Sequence, residues 1–83
     1  MGYYVYVLYS KHFNKLYKGQ TQDLQNRLKE HNTGEVKSTK PFRPWNIIYF
    51  EEFIRREEAV NRERYFKTAA GRRFLKSKIP LIS

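Results

Sequence analysis

Residues Tyr3 to Gly19, YYVYVLYSKHFNKLYKG, constrain the fold of this chain more than any other stretch. Tyr3 to Tyr9 is an almost unbroken run of β-branched and aromatic residues, the composition a buried strand requires. Ser10 to Asn14 is polar and can turn, with His12 exposed in the turn. Lys15 to Gln20 then runs back, so the stretch reads as a β-hairpin. Residues two apart on a strand share a face, so Tyr4 and Tyr6 point one way from the first strand. If the pairing brings Tyr6 and Tyr17 to the same face, two phenols stand side by side on one sheet.

The 83 residues allow one domain with a thin core. An aromatic content of 17% compensates, because each buried ring removes a large apolar area from water. Thr21 is placed to cap a helix over Gln22–Asn32, with Asp23 favourable to its dipole and Gly34 closing it in a left-handed conformation. Glu35–Trp45 reads as a loop, because Pro41 and Pro44 oppose a helix there. Asn46–Phe53, rich in Ile, Tyr and Phe, is a third strand. Helices follow over Arg55–Ala69 and Gly71–Lys78, with Gly71 as the break. The order β-β-α-β-α-α predicts an α+β fold, a small three-stranded, mostly antiparallel sheet flanked by helices.

The charge narrows the function. Seventeen Lys and Arg against eight Asp and Glu give +9, which suits a polyanionic partner, nucleic acid first. Lys15, Lys18, Lys37, Thr39, Lys40, Arg43, Arg72, Arg73, Lys76 and Lys78 are the residues expected to meet it. There is no cysteine, so a disulfide framework and a thiolate zinc site are excluded. No apolar run reaches the length of a membrane span, and the N-terminus lacks the pattern of a signal peptide. A soluble, cytoplasmic protein is the expectation.

Three polar residues interrupt apolar helical stripes. Arg27 and His31 lie one turn apart beside Leu24 and Leu28. Glu63 falls within the stripe of Ala59, Phe66 and Ala70. A carboxylate there costs free energy unless it is paired or bound to a metal. Each residue also has a purely structural reading. Glu63 can pair with Arg62, Arg64 or Lys67, His31 can answer the helix dipole, Arg27 can snorkel to water, and both tyrosines can be core aromatics.

Together these residues resemble the GIY-YIG nuclease family, and within it the small stand-alone bacterial members. Tyr4-Val5-Tyr6 stands where the family has Gly-Ile-Tyr, and Tyr17-Lys18-Gly19 where it has Tyr-Ile-Gly. Arg27 and His31 match the arginine of the first helix and the histidine or tyrosine one turn later. Ala59 and Glu63 match the alanine and metal-binding glutamate of the later helix. Lys37-Ser38-Thr39-Lys40, Pro44-Trp45 and the run from Tyr65-Phe66-Lys67 through Phe74-Leu75-Lys76 match the stand-alone subgroup, so the likeness covers nearly the whole chain. Tyr4 is bulkier than the family's first glycine, Lys18 replaces isoleucine, and Gly71–Lys78 lacks the late asparagine of some members.

The resemblance implies a metal-dependent DNA endonuclease, structure-selective or weakly sequence-selective, acting in repair or recombination. Tyr6 would activate the attacking water, directly or through Tyr17, which would orient water or phosphate. Arg27 would stabilise the phosphate, and His31 would assist proton transfer or touch phosphate. Glu63 would hold one divalent ion, magnesium or alternatively manganese, with water and phosphate oxygens completing the shell. A free phenol has a pKa near 10, so Arg27 or a bound metal would have to lower that of Tyr6. A single domain is expected, so substrate choice would come from this domain or from a protein partner. Two other readings remain open: a catalytically inactive nucleic-acid-binding module, and a small basic accessory protein.

Overall fold

Strand β1 (Tyr3–Ser10) runs through the middle of a three-stranded sheet, between β2 (Lys15–Thr21) and β3 (Asn46–Phe53), and both pairings are antiparallel. The computed structural model describes residues 2–80. Helix α1 (Leu24–Thr33) follows β2, a single 3-10 turn (Lys40–Phe42) precedes β3, and α2 (Arg56–Phe66) and α3 (Ala69–Lys78) close the chain.

The unbroken apolar character of β1 has a structural cause, since both of its faces are covered. Val5 and Val7 point to one side, into a core with Phe66, Leu75 and Ile79 from the C-terminal part of the chain. Tyr6 and Leu8 point to the other, where they pack with Trp45, Tyr17, Leu24 and Leu28. The register slips between Val7, opposite Tyr49, and Leu8, opposite Ile47. Ile48 is thus an extra residue on β3, and it turns its side chain into the Val5 core.

Several boundaries depart from the sequence reading. Thr21 belongs to β2, and the cap of α1 is Asp23, whose carboxylate accepts the Asn26 amide at 3.0 Å. Thr21 Oγ1 instead accepts the Asp23 amide at 3.1 Å, one step before the helix. Gly34 closes α1 as expected, with φ of 84°. Its amide bonds to the Glu30 and His31 carbonyls, and Glu35 reaches back to Glu30, completing a left-handed cap. Pro41 does not exclude all helical structure, because it sits in the first turn of the 3-10 segment, where its missing amide proton is not needed.

The break between the last two helices lies at Lys67 and Thr68, not at Gly71. Thr68 Oγ1 accepts the Gly71 amide at 3.0 Å and donates to the Tyr65 carbonyl at 2.6 Å, so one side chain both ends α2 and caps α3. Gly71 lies within α3, where a Cβ would collide with the Tyr65 carbonyl. Ala70 consequently belongs to α3 and is exposed, and does not extend the Ala59–Phe66 stripe.

Candidate active site

The register puts Gly19 opposite Tyr6 and Tyr17 opposite Leu8, so Tyr6 and Tyr17 are diagonal neighbours on one face. Their ring centroids are 6.4 Å apart. Gly19 makes this possible. A Cβ there would lie 2.5 Å from Tyr6 Oη and 3.2 Å from Tyr17 Cε2. The absent side chain leaves the space the tyrosine tip occupies.

Helix α1 lays its polar residues onto this face. His31 is fully buried, and its Nε2 lies 3.0 Å from Tyr6 Oη. Its ring packs edge-on against Tyr17, centroids 4.9 Å apart. Arg27 Nε donates to Tyr6 Oη at 3.4 Å, while its Nη1 bonds to Glu30 at 2.9 Å. Glu30 was not among the residues singled out from the sequence. Its spacing of three from Arg27 was the available signal.

Electrostatics fix the resting protonation. Burial pushes the Tyr6 phenol above its ordinary value. The bond and charge of Arg27 pull the other way, and the charges of Tyr17 and Glu63 add to the rise. The need for Arg27 to depress this pKa is therefore not met, because desolvation wins. Burial, together with the Arg27 charge, drops His31 to about 4, against a smaller opposing effect of Glu30. The helix dipole favours a protonated histidine in the last turn, and here burial overrides it. At neutral pH the site holds a neutral phenol against a neutral imidazole, beside a fixed guanidinium.

Glu63 comes from α2, the helix whose Phe66 fills the core on the opposite face, and α2 also leans on the edge strand β2. Its carboxylate is near enough to the Tyr6 hydroxyl for its charge to be felt there. Lys67 Nζ donates to Glu63 Oε2 at 2.9 Å, so of the three cations the sequence offered as its partner, Lys67 is the one engaged. Arg62 is committed elsewhere, donating twice to Glu51 at 2.8 and 3.2 Å and lying over the Phe74 ring. Among the described residues no three His, Cys, Asp or Glu side chains cluster as a ready-made metal cage. A single half-buried carboxylate fits a hard ion that keeps most of its water and takes substrate phosphate oxygens.

The basic residues fall into two groups. Lys37, Lys40 and Arg43 are exposed on the loop after α1, and Lys15 lies over the Phe42 ring at 4.7 Å on the same side. Lys18 points away from Tyr17. It is half-buried, and burial together with the nearby charges of Arg72 and Lys67 pulls its pKa down. With Arg72 and Lys76 it lines a small cleft. Lys67, whose charge reaches Lys18, belongs to this second group. Arg73 and Lys78 are exposed on α3. Thr39 needs correction: it is 1% exposed, with Oγ1 2.8 Å from His31 Nδ1. It is buried beneath the site and offers no surface to nucleic acid.

A β2-β1-β3 sheet with a Tyr-Tyr-Arg-His cluster on one face and a glutamate on the helix behind defines a class. Residues 2–76 match the family described as the GIY-YIG catalytic domain, and this chain belongs to that family. Among its relatives is a UPF0213 protein of Pediococcus pentosaceus, 45% identical over 67 residues, covering 80% of this chain and 70% of that one. A UPF0213 protein of Staphylococcus haemolyticus is 39% identical over 75 residues, covering 89% of this chain and 90% of its own. The solution structure of a UPF0213 protein of Bacillus halodurans superposes with a TM-score of 0.55 at 31% identity, covering 93% of this chain and 84% of that one.

Proposed function

We propose that this protein is a metal-dependent endonuclease that hydrolyses DNA phosphodiester bonds with structural or weak sequence selectivity, in repair or recombination. The observation that carries this reading is the hydroxyl of buried Tyr6, held by buried His31 and by half-buried Arg27 and closed over by Tyr17. A purely structural tyrosine has no need of both a guanidinium and a buried imidazole at its hydroxyl.

The resting protonation suggests how the proton moves. A water beside Tyr6 gives its proton to Oη as Tyr6 passes its own to His31 Nε2. The water oxygen bonds to phosphorus, and the scissile P–O bond breaks with its electron pair on the leaving oxygen. No free phenolate forms, so the raised pKa of Tyr6 is no obstacle, and unprotonated His31 is the final acceptor. Arg27 stays charged at every pH of interest and binds the non-bridging oxygens as negative charge grows there. Tyr17 positions water or phosphate at the mouth. Glu63 would hold a magnesium or manganese ion, which would supply further charge neutralisation on the phosphate.

The two basic groups bind backbone phosphates without reading sequence. Phe50, opposite Tyr6 on β3 and 52% exposed, offers a ring on which any base can stack. A cytoplasmic location is part of this reading, and a protein partner can add selectivity.

The test is incubation with flaps, nicks, loops and single strands in magnesium or manganese. Wild type is expected to cut at least one of them. Glu63→Ala should abolish cutting with binding retained, and Tyr6→Phe should lower turnover with little change in affinity. Binding without cutting by wild type in either metal would favour a nucleic-acid-binding module instead.

A further inference from the structure

His31 is a useful proton acceptor only if Nε2 is the bare nitrogen. A neutral imidazole carries one N–H, and the partner of the other nitrogen decides where it sits. At Tyr6, 2% exposed, Oη already accepts from Arg27 Nε, a group that can only donate. The phenol proton therefore needs an acceptor in a site packed away from bulk solvent, and His31 Nε2 at 3.0 Å is placed to be one.

The far side of the ring agrees. Thr39 Oγ1 lies 2.8 Å from Nδ1, and the Val36 carbonyl, which also accepts the Thr39 and Lys40 amides, stands 3.3 Å from the hydroxyl as an acceptor for its proton. With the proton directed there, the oxygen presents lone pairs to Nδ1. Thr39 is also held rigidly. Its amide bonds to Val36 at 3.1 Å, and its carbonyl accepts Phe42 N–H at 3.1 Å and Trp45 Nε1–H at 2.9 Å. The loop that the sequence marks only as basic and proline-bearing thus carries a fixed acceptor under the histidine.

We propose that Thr39 is a positioning residue that sets the tautomer of His31, holding the proton on Nδ1 so that Nε2 receives the proton of Tyr6. The chain runs Tyr6 O–H to Nε2, Nδ1–H to Thr39 Oγ1, and Thr39 O–H to the Val36 carbonyl. When Nε2 takes the proton, the imidazolium keeps both hydrogen bonds, and Thr39 accepts from the more strongly donating Nδ1–H without moving. The catalytic value of this arrangement rests on the nuclease reading above, whereas the tautomer itself does not.

The tautomer can be measured directly by long-range nitrogen–proton NMR on histidine-15N protein above pH 7. The turn residue His12, exposed, serves as the unconstrained reference in the same sample. Wild-type His31 is expected almost wholly as the Nδ1–H form. Thr39→Val, close in shape but without the acceptor, should shift His31 measurably toward the Nε2–H form, and Thr39→Ser should restore the wild-type pattern. In cleavage assays Thr39→Val should lower kcat with KM nearly unchanged, by about 10–100-fold if the loss resembles that of other partners that orient a working imidazole. Thr39→Ser should recover most of it. A wild-type His31 in the Nε2–H form, or a Thr39→Val spectrum identical to wild type, overturns the proposal. A wild-type protein with the expected tautomer that cuts nothing would leave the tautomer assignment standing and remove the nuclease reading instead.

Discussion

Replacing Gly19 by alanine tests whether the site is built around the tip of Tyr6. The new Cβ would sit 2.5 Å from Tyr6 Oη and 2.7 Å from Cζ, well inside contact distance. An exposed tyrosine would swing away cheaply. Tyr6 cannot, because it is 2% exposed and tethered at Oη to His31 and Arg27. Overpacking of this kind costs about 1–3 kcal/mol. Gly19 does not have a positive φ, so alanine also recovers about 0.4–1 kcal/mol by restricting the unfolded chain. The net is a loss of up to about 2.6 kcal/mol, which lowers Tm by up to roughly 20 °C in a domain of this size. Cleavage should suffer far more than stability, because the clash falls on the hydroxyl. A double-mutant cycle isolates the cause: in a Tyr6→Phe background the atom at 2.5 Å is gone, and the penalty of Gly19→Ala should shrink. Thermal or denaturant melts of the four proteins supply the numbers. An unchanged penalty in the Phe background, or a Gly19→Ala protein more stable than wild type, would refute the reasoning.

Three further outcomes follow from the same geometry. The His31 pKa is lowered from 6.5 to about 4, so between those values the unfolded chain binds the proton and the folded chain does not; its share of stability, about 3 kcal/mol, is present above pH 6.5 and lost as pH falls toward 4. Urea melts across that window should show the loss, and His31→Phe should flatten it. Lys67→Ala removes the cation that competes for Glu63, and because an exposed pair is worth about 0–1 kcal/mol, manganese binding followed by electron paramagnetic resonance should tighten by up to about fivefold; weaker binding would place the ion elsewhere. Replacing Lys37, Lys40 and Arg43 together by alanine should weaken binding to unrelated DNA sequences alike and reduce the salt slope by about 2–3, measured by fluorescence anisotropy at several salt concentrations.

The sequence alone determined what is local. Strands β1 and β3 were legible because β-branched and aromatic runs have few other uses, and the β3 bounds match the reading at both ends. Gly34 was legible because a left-handed cap is a requirement of the backbone itself. The meeting of Arg27 and His31 on one helix edge followed from the α-helical repeat, and Tyr6 with Tyr17 from the strand repeat of two. What the sequence could not rank were residues with two local meanings. Gly71 read as the helix break, and Thr68 carried no mark in the sequence. The choice fell to Thr68 because its hydroxyl finds both the Gly71 amide and the Tyr65 carbonyl, while Gly71 is needed where α3 touches the end of α2. Thr39 looked like one more polar residue in a basic loop, since nothing local marks a threonine for burial. Only the closing of that loop over α1 puts its oxygen against His31. The protonation of Tyr6 and His31 lay equally beyond the sequence. Spacing counts the charges near a group, but the low pKa of the histidine and the high one of the tyrosine come first from lost water, and water is excluded only when the sheet, the helix and Trp45 pack together.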